Sequence, residues 1–277
     1  MNDPLVSIII PARDCAEMLG RCLSSVRKQS YGNVEIIVVD GNSTDRTREV
    51  AATFADKVFL YPKKGDHRCA QRNMGVDRSS GEYVLLIDSD MELDEMVVRR
   101  CAEKMRLSEK TVGLVIPEES FGEGFWSRCK VLEKSFYVGV PWMEAARCFR
   151  KDVYTKVGGY DENMTSGEDW DLSQRVAREG EIGRINAFIL HNEGHTSLLK
   201  TMRKKFYYAR KFSKYVEQNQ GQEAMENQIG ILKRYALFLS QPKKLFREPI
   251  LGVGMLWMKT FEFGFGGLGY VTARLSR

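Results

Sequence analysis

Two aspartates one residue apart, Asp88-Ser89-Asp90, close the apolar run Tyr83–Ile87. Alternate side chains of an extended chain point the same way, so both carboxylates face one site. Adjacent carboxylates repel each other and are best tolerated around a divalent cation or a hydrogen-bonded ligand. Hard oxygen donors suit Mg2+ or Mn2+, which would bridge to a diphosphate. The plainer reading is a loop aspartate capping the helix that begins near Leu93. A second group, Glu168, Asp169 and Asp171 in Gly167-Glu168-Asp169-Trp170-Asp171, stands just ahead of a helical stretch. The helix dipole favours acids in a first turn, but three acids in four positions exceed what capping requires. A carboxylate placed there can accept a proton from an alcohol. A third group is Asp40-Gly41-Asn42-Ser43-Thr44-Asp45, where Asp40 ends an apolar run and can accept hydrogen bonds from a base N–H or a sugar hydroxyl. Gly41 lets the chain turn sharply there. As a bare string this is an ordinary strand-to-helix loop.

These groups can cooperate only if the chain brings their strand ends to one edge. Val6–Ile10, Glu35–Val39, Val58–Tyr61 and Tyr83–Ile87 read as buried strands. Between them Ala16–Gln29, a segment capped by Ser43-Thr44-Asp45 that runs through Ala55, and Gln71–Arg78 read as helices. This rhythm predicts βαβ units and a mostly parallel, doubly wound α/β sheet. Ligands of such sheets bind beyond the carboxyl ends of the strands. That rule selects Pro11–Asp14, Asp40–Asn42 and Asp88–Asp90. After Met91 the pattern loosens: Leu93–Leu107 reads as a helix, Val112–Ile116 as a strand, and 121–137 as a helix or irregular segment. Asp169–Glu179 reads as helical and Ile185–Leu190 as the last strand.

The bulk properties fit such a plan. A chain of 277 residues holds one α/β domain and an appendage. With 43% apolar and 29% charged residues a folded core is expected and long disorder is not. A net charge of +5 is too small to argue for nucleic acid. The six cysteines form no CxxC pair and match neither a zinc site nor a disulfide scaffold, so reduced, packed thiols are expected. Met-Asn-Asp-Pro lacks the features of a signal peptide, and the expected location of the body of the protein is the cytoplasm.

Taken together the segments become specific. Pro11-Ala12-Arg13-Asp14, Asp40 through Thr47, Gln71-Arg72-Asn73-Met74-Gly75, Gly81-Glu82-Tyr83, Asp88-Ser89-Asp90, Gly158-Gly159-Tyr160-Asp161-Glu162 and Gly167 through Leu172 occur in that order. Over roughly residues 5–195 the chain resembles glycosyltransferase family 2, the inverting nucleotide-sugar enzymes with the GT-A fold. The resemblance implies a donor pocket formed by Pro11, Ala12, Arg13, Asp14, Asp40, Asn42, Arg72, Asn73, Asp88 and Ser89, with Asp40 recognising the base. It implies Mn2+ or Mg2+ held by Asp88 and Asp90, with a histidine near the last strand, His191 or His195, completing the metal or diphosphate site. Of these two, His191 is the stronger candidate. Asp169 would be the catalytic base, Glu168 its neighbour on the acceptor side, and Arg175 a basic group near the diphosphate. Two departures stand out: Asp14 replaces the usual Asn, and Asn42 interrupts the usual Asp-Gly-Ser-Thr run.

The implied donor is a nucleotide diphosphate sugar, a UDP-sugar first and a GDP-sugar next. A polyprenyl phosphate sugar synthase is the alternative within the family, since a phosphate acceptor needs no general base. A sugar nucleotidyltransferase normally needs a glycine-rich, basic N-terminal loop, which Pro11–Gly20 does not supply. A degenerate glycan-binding module is disfavoured by the intact set Asp88, Asp90 and Asp169.

From about Ser197 the composition changes, which divides the chain into a GT-A domain (1–196) and a C-terminal basic, amphipathic helical region (197–277). Residues 200–214 carry seven basic side chains and no acid, interleaved with Phe206, Tyr207, Tyr208 and Phe212. No nucleic-acid module accompanies them. Anionic lipid head groups or an acidic lipid-linked acceptor fit better. Pro249–Ala273 is apolar and glycine-rich, but Lys259 and Glu262 argue against a clean span, so an interfacial or re-entrant segment is expected. The resulting expectation is a tail that associates with an anionic membrane surface, at the cytoplasmic face of the cell membrane, and an acceptor that is a glycan or lipid-linked.

Overall fold

The computed structural model describes residues 3–63, 67–219 and 223–275. In chain order the elements are β1 (Val6–Ala12), α1 (Ala16–Arg27), β2 (Val34–Asp40), α2 (Thr47–Phe54), β3 (Lys57–Leu60), α3 (Arg68–Asp77) and β4 (Tyr83–Leu86). Then follow β5 (Met91–Leu93), α4 (Val97–Leu107), β6 (Thr111–Val115), β7 (Glu118–Glu123), α5 (Phe125–Ser135), β8 (Ala146–Arg150), α6 (Lys151–Lys156), α7 (Glu168–Ala177), β9 (Glu181–Arg184) and β10 (Ile189–His195). Six helices complete the chain: α8 (Leu198–Lys211), α9 (Ser213–Gln218), α10 (Glu223–Ile229), α11 (Ile231–Leu239), α12 (Pro242–Leu245) and α13 (Pro249–Leu275).

The chain divides into two compact units, Met1–Glu118 with Ala145–His191, and Glu119–Glu144 with Asn192–Arg277. The break in composition near 197 thus falls close to one crossover. The transfer of 119–144 to the second unit had no signal in composition.

The first unit holds a seven-stranded sheet in the order β3-β2-β1-β4-β8-β6-β9. β1, β2, β3 and β4 run parallel, whereas β8 is antiparallel to both β4 and β6. Helices cover both faces, which is why β1 and β2 are continuous apolar runs rather than alternating ones. Ile8 and Ile10 belong to the core beneath Leu19, Leu23, Val97 and Cys101, while Ile9 packs with Val76, Tyr160, Leu172 and Val176 on the opposite face. The chain leaves β1 toward β2 on one side and is joined by β4 on the other. A crevice at the carboxyl ends of β1, β2 and β4 follows from that reversal. α3 lies close over β1 because Gly75 has no Cβ; one there would overlap the side chain of Ile9. All six cysteines are buried and unbridged.

The second unit is helical apart from β7 and the end of β10. Its core joins Cys129 and Phe136 to Phe238, Leu245, Met255 and Met258. The glycines of α13 serve packing: a Cβ on Gly254 would overlap Phe125, and one on Gly269 would overlap the carbonyl of Phe206 on α8. Among the described residues no helix is long and apolar enough to cross a membrane. The expected C-terminal helices are present as α8–α13.

Candidate active site

Pro11 and Ala12 lie in β1, and the Ala12 carbonyl accepts a hydrogen bond from Gly41 N–H at 2.8 Å, tying the first two loops together. Asp40, fully buried at the end of β2, accepts from Ser43 N–H at 3.1 Å and from the Ser43 hydroxyl, with Arg48 Nε 3.8 Å away. Asp14 and Asn42, the two departures from the family pattern, are the two non-glycine residues with positive φ among the described residues, at +46° and +62°. Asp and Asn tolerate that conformation better than other residues. Asp14 Oδ1 accepts from Thr44 N–H at 2.7 Å, and this bond holds the Asp14 carboxyl below its ordinary value. Asn42 Nδ2 donates to the carbonyl of Tyr61 at 2.6 Å. Both replacements thus lock loops, and Arg13, 3.6 Å from Asp14, is half-exposed.

Asp88, Ser89 and Asp90 form a half-buried turn after β4. Asp88 Oδ1 accepts from Arg72 Nη2 at 2.5 Å, and Arg147 Nη1 lies 3.9 Å from Oδ2. Burial alone would raise the Asp88 carboxyl, but Arg72 and Arg147 outweigh it and hold it well below the usual range. Arg72 reaches Asp169 at 3.7 Å and Glu168 at 3.9 Å with its other amine, and its guanidinium sits 4.9 Å from the Tyr160 ring centre. The Tyr160 hydroxyl donates to Asp169 Oδ1 at 2.7 Å. Burial, then the neighbouring Asp169, pushes the Glu168 carboxyl up. Asp90 Oδ2 lies 3.4 Å from His191 Nε2, and His191 Nδ1 lies 3.4 Å from Glu118 Oε2. Arg147 Nε donates to Glu118 Oε1 at 2.5 Å, which closes the ring of contacts.

The structure therefore gathers Asp88, Asp90, His191, Arg72, Glu168 and Asp169 in one network. Asn73 and Arg175 are engaged beside it. Asn73 Oδ1 accepts from the Tyr154 hydroxyl at 2.7 Å and Tyr160 N–H at 2.9 Å, while Nδ2 donates to the Tyr160 carbonyl at 2.9 Å. Arg175 donates to Asp171 at 2.8 Å and to the Val157 carbonyl at 2.6 Å, away from the acid network. His195 is exposed, in the second unit.

Three participants were not singled out in the sequence: Arg147, Glu118 and Tyr160 as a partner of Asp169. Ala146-Arg147-Cys148-Phe149-Arg150 places arginines around buried Cys148, the only hint of a strand lining a polar site.

Whether these residues suit a divalent cation is tested by their orphaned atoms. Asp90 Oδ1 is buried with no hydrogen-bond partner, as are Arg72 Nη1 and Arg147 Nη1. Asp88, Glu118, Glu168 and Asp169 lie within 3.9 Å of the two buried guanidinium groups, while Asp90 faces His191. No group of three or more His, Cys, Asp or Glu preformed for a metal occurs among the described residues. Asp90 and His191 alone make a two-donor site, which suits an ion that takes its other ligands from water and phosphate oxygens.

The sequence model described as "Glycosyl transferase family 2" matches residues 7–158, more than half of the chain, including Arg72, Asp88 and Asp90 of this network. The chain belongs to glycosyl transferase family 2. Among curated relatives, this family 2 member is 31% identical over 116 residues to glycosyltransferase GlyG of Streptococcus pneumoniae, 40% of this chain and 38% of that protein. It is 34% identical over 99 residues to a PGL/p-HBAD biosynthesis glycosyltransferase of Mycobacterium bovis, 34% of this chain and 39% of that one. The chain thus spans about two-fifths of the length of these relatives. In fold it resembles a mannosyltransferase of Pyrobaculum calidifontis solved with GDP-Man and Mn2+ (TM-score 0.65, 13% identity, 98% of this chain and 88% of that one). It also resembles residues 1–349 of TarS of S. aureus solved with UDP-GlcNAc (TM-score 0.57, 13% identity, 98% and 92%). The family 2 member therefore has an α/β fold with a mostly parallel central sheet like that of GT-A glycosyltransferases.

Proposed function

We propose that this chain transfers a sugar from a nucleotide diphosphate sugar to an acceptor hydroxyl, inverting the anomeric centre, with Mn2+ or Mg2+ bound at Asp90 and His191; Asp88, expected from the sequence as a further ligand, is instead taken up by Arg72 and Arg147. One observation carries the reading. Asp88, from the donor-side turn, and Asp169, from the start of α7, meet on the single buried guanidinium of Arg72. Donor and acceptor chemistry so placed share one centre.

The loops Pro11–Asp14 and Asp40–Asn42 hold the nucleotide, and Asp88 keeps Arg72 ionised and oriented toward the cleft. Asp169, steadied by the Tyr160 hydroxyl, accepts the proton of the attacking alcohol, and one displacement inverts configuration. A bound divalent cation would offset the charge that grows on the leaving diphosphate. A small recess lined by His67, Arg68, Cys69, Glu162, Met164, Thr165 and Glu168 has room for about one acceptor hydroxyl beside Glu168. UDP-sugars are the first donors to try and GDP-sugars the next, because the fold neighbours were solved with UDP-GlcNAc and GDP-Man. The acceptor in this reading is a glycan or lipid-linked glycan at an anionic membrane surface, on its cytoplasmic side.

The test is a thermal-shift panel of nucleotide diphosphate sugars with and without Mn2+, followed by product analysis. Asp169→Asn should lower transfer by about 10²–10⁴-fold while leaving donor-induced stabilisation intact. Undiminished transfer by that variant would remove Asp169 from the role of base.

A further inference from the structure

Helix α13 is built inside out. Its charged residues Lys259 and Glu262 are each 2% exposed, whereas Trp257 is 61% and Leu275 83% exposed. Ile250, Val253, Leu268 and Val271 are exposed as well. With Gly264 between them, positions 250, 253, 257, 264, 268, 271 and 275 fall at helical spacing along one face. At 1.5 Å per residue that stripe runs roughly 35–40 Å. A helix at a water-facing surface does the reverse, turning charge outward.

The buried charges are satisfied from within the unit. Lys259 pairs with Glu133 and, at 2.9 Å, with Glu262; Lys130 pairs with Glu133 at 2.7 Å and Glu262 at 2.9 Å. The ionic residues that break the apolar run therefore fix α13 against α5 and leave the apolar face outward. An apolar face this long marks a surface that is covered in use.

The charge beside it indicates by what. A Cβ on Gly269 would overlap the Phe206 carbonyl and one on Gly266 would lie 4.0 Å from the Ala209 side chain, so α8 runs along α13. α8 exposes Lys200, Arg203, Lys204, Arg210 and Lys211, and Lys243, Arg247 and Arg274 are exposed near the two ends of α13. The side chain of Lys214 lies outside the described residues. An apolar protein partner or a second copy would draw nothing from this flanking charge. A lipid surface with anionic head groups matches both features.

We propose that α13 lies in the plane of an anionic bilayer surface, with Ile250, Val253, Trp257, Leu268, Val271 and Leu275 at the acyl boundary and the basic residues of α8 among the head groups. It lies on the bilayer rather than spanning it, since no described helix is long and apolar enough to cross. This deepens the membrane-surface part of the reading above and rests on it. Its test reads lipid binding apart from transfer.

The experiment is flotation of the full chain with phosphatidylcholine vesicles, with and without phosphatidylglycerol, at low and high salt. Binding is expected to the anionic vesicles and about tenfold weaker to the neutral ones. The pair Trp257→Gln with Leu268→Gln should weaken binding roughly 100-fold, since each removes a side chain worth about a factor of ten or more on burial. Because both positions are exposed, its melting temperature should stay within a degree or two of the parent's. Arg203→Gln with Lys204→Gln should weaken binding about tenfold at low salt and flatten the salt dependence. As a measurement on an unperturbed fold, brominated acyl chains should quench the parent more than Trp257→Phe. Equal quenching of those two proteins, equal binding by parent and the double Gln variant, or absence of vesicle binding would overturn the proposal. So would dimers that the double Gln variant disperses in the absence of lipid binding. Asp169→Asn should bind vesicles like the parent, so loss of lipid binding and loss of transfer remain separate results.

Discussion

At the scale of single residues, the site is a contest between burial and pairing that two carboxyls resolve in opposite directions. Burial would raise Asp88, but Arg72 and Arg147 hold it well below the usual carboxylate range. Its folded value lies below the unfolded one of about 3.9. The stability it contributes is therefore present above about pH 4 and lost as the pH falls through the folded value. Glu168 is raised, by burial first and by Asp169 next. Its contribution is fully present below about pH 4.3 and is lost as the pH rises through its folded value. Asp88→Asn should accordingly lower the melting temperature at neutral pH, and the gap to the parent should close in acid. Glu168→Gln should leave the neutral-pH melting temperature unchanged or higher. Thermal unfolding from pH 8 to pH 2 checks both. A stabilised Asp88→Asn at neutral pH would mean that Arg72 does not depend on Asp88.

At the scale of elements, a helix is positioned over the site by one amide side chain. Asn73 on α3 meets Tyr154, both backbone groups of Tyr160 and, at 3.2 Å, Glu162. Gly159, at φ +61°, leaves room for that amide, since a Cβ there would sit 2.6 Å from Asn73 Oδ1. Asn73→Ala removes these bonds and leaves buried backbone groups unpaired, at a cost of about 2–4 kcal/mol. A melting temperature lower by ~5–10 °C is expected, with transfer reduced because Tyr160 no longer holds Asp169. An unchanged melting temperature would show that the Gly159-Tyr160 loop stands without it. The same scale explains what the sequence revealed. β1, β2, β3 and β4 with their helices were legible because each is a short apolar run between turn residues, and the strand-end rule then located Asp40 and Asp88. β5, at three residues, is too short for an apolar pattern and its last residue, Leu93, opens a predicted helix, and β8 escaped because its arginines interrupt any apolar pattern. The loss of β8 hid Arg147, and the loss of β7 hid Glu118, although both hold the acid network together. They pair with each other across 29 residues and with Asp88 and His191 across 59 and 73, separations that spacing in a single chain does not encode.

At the scale of the whole molecule, the tryptophans divide between the two units in a way that makes each separately observable. Trp126, Trp142 and Trp257 belong to the second unit, and Trp170, beside Asp169 at the start of α7, to the first. In the proposed function a nucleotide diphosphate sugar binds in the strand-end crevice and acts on the first unit's network. A ligand that binds only the folded state stabilises it by about 2.7 kcal/mol at a hundred times its dissociation constant. That corresponds to roughly 5–10 °C in melting temperature for a unit of this size. The cognate donor with Mn2+ should therefore raise the unfolding temperature reported by Trp170, and a chelator should reverse most of the shift by removing the ion from Asp90 and His191. The part of the fluorescence signal that responds to donor should vanish in Trp170→Phe and survive in Trp257→Phe. Vesicle binding should produce the opposite pattern, because the exposed indole of Trp257 is the one on the apolar stripe. A donor response that followed Trp257 instead would place nucleotide binding in the helical unit and break the link between the acid network and catalysis.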